Sequence, residues 1–513
     1  MPSPVRHFVS DESVAAALRS AARLVLIEAP GGCGKTFQAS RYAADATHGV
    51  GTGGRVLVLA HTHAACDVFT SRIARTGRVE VRTIDGLISQ IASAYHLGLG
   101  LPADASSWAR RQNDTGYKLL ASKTAALMMK APIIAHAVAQ RYPVIICDEH
   151  QDASADQHAV VMAIYGAGSA LRIFGDPMQN IGSSKASIRD ADALRWRSLE
   201  SQADTFEVLD QPHRWENKDL GKWILQARAT LGDGGQINLR ANLPPGLSVV
   251  FADNSAQRHD QYTLEQQARS PIDLAINCAE GVMVLAAHNL TVKALRPFFN
   301  RRIPIWEGHT RDALAVLANA IRGSVGDPID VGHAVVKFVE SIAIGFTPTE
   351  FGKLLLHEIE NGCTARRRLK PAMLQELGRF ILTEPNHRGA SKMLARLLNL
   401  IEVDAAFSKI RIDNPREYRD AVRLGEFEDC ENGLTEISHR RTHSHPMPPK
   451  RALSTVHKAK GLECKNVVLM PCDSRHFRNS EAARCLFYVA LSRATNSLTL
   501  VVSRAEPSPL LVL

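Results

Sequence analysis

Seven short apolar runs punctuate the chain: Leu24–Ile27, Val56–Leu59, Val144–Cys147, Leu171–Phe174, Val282–Leu285, Val467–Met470 and Leu498–Val502. Each is too short for a helix, and five are continuously apolar rather than alternating, with Arg172 and Thr499 the single polar residues in the other two. That is the pattern of strands buried on both faces. Helical patterns lie between them, so the expected fold is α/β, with parallel sheets covered by helices. Ligands of such sheets bind beyond the carboxyl ends of the strands, and most polar motifs of this chain directly follow the runs. At 513 residues the chain exceeds one hydrophobic core, so two or more domains are expected.

Two regions lack this rhythm. Leu99 to Arg141 reads as a small, mainly helical insert. Thr310 to about Pro449 reads as a longer helical region, with 3.6-period apolar spacing in "DALAVLANAIRG" and "SKMLARLLNLIE". It ends in "RTHSHPMPPKR", whose histidines read as part of a solvated linker rather than a metal site.

Composition excludes several classes. Apolar content of 45% and charged content of 22% suit a soluble globular protein. No apolar run approaches the ~18 residues of a membrane helix, and the opening "MPSPVRHFVSDESV" lacks the apolar core of a secretory signal. The nine cysteines are scattered without a C-x-x-C, so a reduced, cytoplasmic protein is expected. The last four show no ligand spacing for an iron–sulfur cluster. A formal net charge of +9 suits a polyanionic partner and equally a solvated surface.

The first run opens the most informative stretch, "LVLIEAPGGCGKTFQAS". A buried strand, a glycine-rich loop (Ala29, Gly31, Gly32, Cys33, Gly34) and a helix beginning at Lys35-Thr36 form the context of a phosphate-binding loop. Backbone N–H groups and the helix N-terminus face the phosphates. Lys35 would neutralise the outer phosphates and Thr36 would ligate Mg2+; the other reading is a glycine-rich turn that binds nothing. Ala29 replaces the usual first glycine. Cys33 reads as a small residue at a variable position rather than a redox switch.

After the third run comes "VIICDEHQDASADQ". An acidic pair just past a strand does two jobs: Asp148 holds Mg2+ and Glu149 polarises an attacking water. The same pair also suits the N-terminus of a helix. After the fourth run comes "LRIFGDPMQNIG", where the Gln179 amide is placed to touch a γ-phosphate and report its loss; a plain surface turn is the other reading.

In series, these motifs resemble the superfamily-one DNA helicases of the UvrD/Rep type. Ala29–Thr36 resembles their first motif, "LAHTHAACDVFTSRI" motif Ia, "VRTIDGLISQIASAY" motif Ib, "DEHQD" motif II and "GDPMQ" motif III. "LDQPHRW" resembles motif IV, "STVHKAKGLE" motif V and "LFYVALSRA" motif VI. They occur in family order over residues 29 to 494. The resemblance implies two RecA-like parallel-sheet motor domains with mainly helical inserted accessory domains. The first motor domain would take residues 1–98 and 142–205 around a 99–141 insert. The second would take 206–309 and 450–513 around a 310–449 insert. It implies ATP and Mg2+, with Lys35 and Thr36 on phosphate and metal, Asp148 on the metal and Glu149 as base. Gln179 would sense the γ-phosphate, and Arg214 and Arg493 would be arginine fingers from the second motor domain. Gly461 and Glu463 would lie at the nucleotide's sugar and phosphate edge. Thr62, His63, Thr83, His457 and Lys458 match positions facing DNA. The implied activity is 3′ to 5′ movement on single-stranded DNA with separation of partly duplex DNA. The alternative is a DNA-stimulated ATPase that regulates a nuclease or repair partner, in DNA repair or anti-phage defence.

The chain also departs from the family's pattern. Its first glutamine is Gln38, beyond the loop, where the family reads adenine with an upstream glutamine. His213 stands where a tyrosine stacks on the base. The segment "NIGSSKASIRD" lacks the aromatic residues that stack on DNA bases, a contact worth ~1–3 kcal/mol per base; Trp196 and Trp215 are the nearest substitutes, and core packing is the reading we favour for both. Both inserts are short. The run "ARRRLK" (Ala365–Lys370) in the second reads either as a grip on duplex phosphates or as a solvated helix end.

Overall fold

The structure is a computed structural model that describes residues 11–513 except 74–76, 113–114, 183–184, 241, 257–260, 278, 301, 307–311, 325 and 443–448. The expectations for residues 1–10, for Cys278, for residues 183–184 of the segment after motif III, and for most of the histidine-containing linker fall outside the described residues. The chain divides into two compact units, Met1–Trp306 with Pro448–Leu513, and Glu307–Met447.

The first unit holds two parallel sheets. The first comprises β1 (Leu24–Glu28), β2 (Val56–Ala60), β3 (Val79–Thr83), β4 (Val144–Cys147), β5 (Ala170–Gly175) and β6 (Thr205–Val208), in the order β3-β2-β4-β5-β1-β6. Its strands alternate between two apolar layers. Leu24, Leu26, Leu57 and Leu59 enter one core, and Val25, Ile27, Val56 and Val58 the other. That period of two explains why a strand covered by helices on both faces reads as an unbroken apolar run. Helices Gly116–Lys130 and Pro132–Arg141 add Leu120, Met128 and Ile134 to the first of these cores, so the small helical region shares the sheet's core.

β7 (Ile237–Asn238), β8 (Leu247–Phe251) and β9 (Val282–Ala286) follow. The second unit carries β10 (Ala343–Ile344) and β11 (Arg411–Ile412). The chain then returns with β12 (Arg451–Thr455), β13 (Cys464–Cys472), β14 (Ala494–Val502) and β15 (Leu511–Val512). The second sheet runs β12-β9-β13-β14-β8, all parallel, while β7 and β15 pair separately. Met283, Leu285, Val467 and Leu469 face one core, and Val282, Val284, Val468 and Met470 the other. The expected α/β class with two parallel sheets is what the chain adopts, and all seven apolar runs are strands within them.

The second unit is built from helices, among them Pro328–Ile342, Leu369–Thr383 and His387–Val403, around Phe338, Phe351, Leu377, Leu394 and Tyr418. Its one departure from a helical reading, among the described residues, is the short antiparallel pair of β10 with β11. No helix among the described residues is long and apolar enough to cross a membrane.

Candidate active site

The carboxyl ends of the first sheet carry the polar motifs side by side. The loop after β1 ends in helix Lys35–Ala46, whose N-cap is Gly34 at φ 84°. Gly32 has φ 90°. Both conformations belong to the left-handed region that glycine adopts without a Cβ penalty. Space also demands glycine, because a Cβ on Gly32 would lie 2.8 Å from Arg214 Cβ and 2.9 Å from the Trp215 ring. A Cβ on Gly34 would lie 3.1 Å from His213 Cδ2. The His213-Arg214-Trp215 segment therefore lies directly on the loop, and the Arg214 N–H donates to Gly32 O at 3.0 Å.

Lys35 is paired with both members of the acidic pair: Asp148 Oδ1 at 3.3 Å, and Glu149 Oε1 in closer contact. Burial alone would lower the lysine's pKa, but the two carboxylates raise it above its ordinary value. Burial, together with the charge on Glu149, pushes the Asp148 carboxyl up despite Lys35. Burial acts the same way on Glu149, but the charge and hydrogen bond of Lys35, with Lys460 and Gln151, hold it down and ionised. Glu149 sits at φ 52° in the left-handed region, a conformation that costs a non-glycine residue about 1 kcal/mol. Gln151 braces it there: its Nε2 donates to Glu149 Oε2 at 2.6 Å, while its Oε1 accepts the Asp176 N–H at 3.0 Å. Thr36 is half-buried in the first turn of the helix. Burial pushes the Cys33 thiol up to about 12, which removes it as a reactive thiolate.

Three donors converge on Gly31. A Cβ there would be 3.1 Å from Gln179 Nε2, 3.5 Å from Arg214 Nη1 and 3.5 Å from Arg493 Nη2. Arg493 is only 1% exposed. It donates to Val489 O at 3.0 Å, Leu462 O at 3.2 Å and Ser492 Oγ at 2.7 Å. Among the described residues no carboxylate pairs with it. Burial and the neighbouring Arg214 guanidinium push its pKa down to about 10. Arg214 pairs with Glu463 at 2.7 Å and donates to Ser492 O at 3.1 Å. Nothing lies within 4 Å of where a Cβ would stand on Gly461, and that residue has φ 83°. The loop beside the arginines is therefore open on that side. His213 Nε2 contacts Asp11 Oδ2 at 2.6 Å, and Gln38 Nε2 donates to Asp11 O at 3.3 Å.

Thr62 and His63 follow β2, and Thr83 ends β3, on the same sheet edge. Thr62 accepts the Ala65 N–H at 3.1 Å and Thr83 the Gly86 N–H at 3.0 Å, so each hydroxyl caps a helix. His457 and Lys458 lie in the short helix Val456–Ala459 beyond β12, on the second sheet. Trp196 and Trp215 are 6% and 1% exposed, so both belong to cores and present no stacking surface.

Sequence reasoning assigned no role to Gln151, Asp152, Lys460, Arg228 or Tyr488. Lys460 Nζ bonds both Asp152 oxygens and Gln179 O, each at 2.7 Å. A lysine two residues beyond Lys458 in motif V was the available signal. Its partners stand 281 and 308 positions away and were not legible in the sequence.

Comparison with known proteins gives two matches. The family model of an AAA domain matches residues 11–239, and that of a UvrD-like helicase C-terminal domain matches residues 452–501. No curated protein matches the chain. The first match spans the phosphate loop, the acidic pair, Gln179 and Arg214, and the second spans β12, the motif V loop and Arg493. Both halves point to an ATP-driven helicase or ATPase. With the two parallel sheets meeting at the phosphate loop, these matches support a UvrD/Rep-like superfamily-one helicase.

Proposed function

We propose that the chain is an ATP-dependent DNA helicase that hydrolyses ATP with Mg2+, moves 3′ to 5′ on single-stranded DNA and separates duplex. The observation that carries this reading is the meeting of Arg214, Arg493 and Gln179 at Gly31. Two guanidinium groups stand close together in a buried site, and one of them lacks any carboxylate partner among the described residues. Such a cluster calls for an anion, and the charge that builds on a transferring γ-phosphoryl group answers it.

In this reading Lys35 exchanges its two carboxylates for phosphate oxygens. That frees Asp148, with Thr36, to hold Mg2+, which supplies charge neutralisation on the phosphates. Glu149, held ionised, accepts a proton from the attacking water. Arg493 comes from the second sheet, so hydrolysis requires the two sheets to be closed on each other, and each cycle drives a movement. Thr62 and Thr83 each keep one hydroxyl proton to donate to a DNA phosphate while their oxygens cap helices. His457 and Lys458 would hold the strand from the second sheet.

A second reading, a DNA-stimulated ATPase that senses DNA for a partner nuclease, is favoured by the burial of Trp196 and Trp215. Among the described residues no exposed tryptophan replaces the missing aromatic residues after motif III. One experiment addresses both readings: ATP hydrolysis with and without single-stranded DNA, followed by displacement of a strand from a forked duplex. Stimulation abolished by Lys35→Ala, together with strand displacement, supports the helicase. Stimulation without displacement favours the sensor, and no stimulation at all refutes both.

The second unit offers a duplex contact of its own. Among the described residues Arg366 and Arg368 have no ion-pair partner, whereas Arg367 pairs with Glu358 at 2.8 Å. Leu369 beside them is 83% exposed with φ 54°. If the two free arginines each neutralise a phosphate, replacing both with alanine lowers the slope of log K against log salt for duplex binding by about 2. The Arg367→Ala slope, by contrast, stays at the wild-type value. An unchanged slope in the double variant would assign the run to solvent.

A further inference from the structure

Asp176 ends up at the centre of a buried network that the proposed chemistry does not use. It is 0% exposed, at the carboxyl end of β5. Its Oδ1 accepts from Arg228 Nε at 3.1 Å and Nη2 at 2.6 Å. Its Oδ2 accepts from the Gln179 amide at 2.8 Å and from the Tyr488 hydroxyl at 3.1 Å. That hydroxyl in turn accepts the Gly31 N–H of the phosphate loop at 2.9 Å. Arg228 Nη2 also donates to Glu28 Oε1 at 2.8 Å, and Glu28 is the buried last residue of β1.

The two sides of this network belong to different sheets. Glu28, Gly31, Asp176 and Gln179 stand on the first. Arg228 lies on helix Lys218–Gly232 and Tyr488 on helix Glu481–Leu491, and both helices pack in the core of the second through Leu220, Ile224, Leu486 and Phe487. One carboxylate on the first sheet is thus gripped by two side chains of the second. The same carboxylate fixes the amide of Gln179, and through Tyr488 it is tied to the Gly31 N–H of the phosphate loop. One arginine serves two buried carboxylates, so the grip has no charge to spare and is made only when the second sheet is seated.

We propose that Arg228 and Tyr488 are positioning residues that transmit seating of the second sheet to Gln179 and Gly31, so that the γ-phosphate contacts assemble only in the closed cleft. The inference rests on the helicase reading for its consequence, but its geometry is testable without it. In the open cleft Asp176 loses both grips, and the Gln179 amide is left on a carboxylate free to turn. In the closed cleft every acceptor on Asp176 is occupied and the amide has one orientation.

Tyr488→Phe removes only a hydroxyl and keeps the ring, so the fold is retained. Arg228→Lys keeps the charge but cannot reach Glu28 and Asp176 with a planar fork. Two readouts are taken on the intact chain. The first is amide hydrogen exchange of the Ala29–Thr36 segment. Both variants are expected to exchange faster there at unchanged melting temperature for Tyr488→Phe, because Gly31 N–H has lost its acceptor or the acceptor its anchor. The second is DNA-stimulated ATP turnover, where Tyr488→Phe is expected to lower kcat about tenfold with little change in KM. Wild-type exchange in Tyr488→Phe overturns the proposal whatever the turnover. Faster exchange with wild-type kcat also overturns it, by making the network structural only. A wild-type protein that DNA does not stimulate refutes the helicase reading, and the exchange readout still decides whether the network holds the loop.

Discussion

Glu149→Gln is expected to lower DNA-stimulated ATP turnover about a thousandfold, within the ~10²–10⁴ range of a positioned general base, while nucleotide binding survives. The amide keeps the shape of the side chain and its contact with Gln151, but cannot take a proton. Lys35 then pairs with Asp148 alone and is released to phosphate more readily, so nucleotide affinity is expected to stay level or rise. Single-turnover hydrolysis and a nucleotide titration check the two halves. Turnover within tenfold of wild type would remove Glu149 from the role of base. The sign of the pH dependence follows from the same charges. Lys35 holds the carboxyl of Glu149 below its ordinary range. Before nucleotide binds, the ionised carboxylate is therefore present through neutral pH and is lost only as the pH falls through that depressed value.

Arg493→Ala is expected to cost about 10³-fold or more in turnover, the range of an arginine finger. The side chain makes three hydrogen bonds to neutral acceptors and none to a carboxylate among the described residues. Its removal therefore strands no buried anion. It forfeits roughly 1 kcal/mol per hydrogen bond and relieves the repulsion from Arg214. The fold is expected to survive, which a melting curve checks. Arg493→Lys separates charge from geometry, because an ammonium cannot keep the fork that reaches Val489, Leu462 and Ser492 together. A lysine variant with wild-type turnover would reduce the role to a diffuse positive charge. Arg214, paired with Glu463 at the rim, is expected to show the smaller loss of the two.

The strands show what could be read early and what could not. All seven apolar runs became strands, and the four strands of the two sheets that sequence reasoning passed over, β3, β6, β8 and β12, are the four sheet edges. The reason is solvent. β3, "VEVRT", is half-buried along most of its length and carries Glu80 and Arg82. β6 and β8 likewise have exposed positions. An edge strand needs only one neighbour and need not be apolar throughout, so it gives no unbroken run. The two tryptophans follow the same logic in reverse. Their identity left open whether they stack on a ligand or fill a core, and only burial decided, with Trp215 against Gly32 and Trp196 over Gly175.

What the sequence by itself determined is the chemistry that needs only neighbours in the chain. The loop of Gly31 to Thr36, the strand before it and the acidic pair after β4 are local, because a tight turn, a helix N-terminus and a strand end are specified by a few consecutive residues. What only the tertiary structure decided is which distant groups meet there. The Gly31 N–H bonds a tyrosine 457 positions away, Glu28 an arginine 200 away, and Asp152 a lysine 308 away. No local pattern encodes such pairs. They arise when two separately packed sheets close on each other, and a buried carboxylate or N–H must then find a partner wherever the fold supplies one.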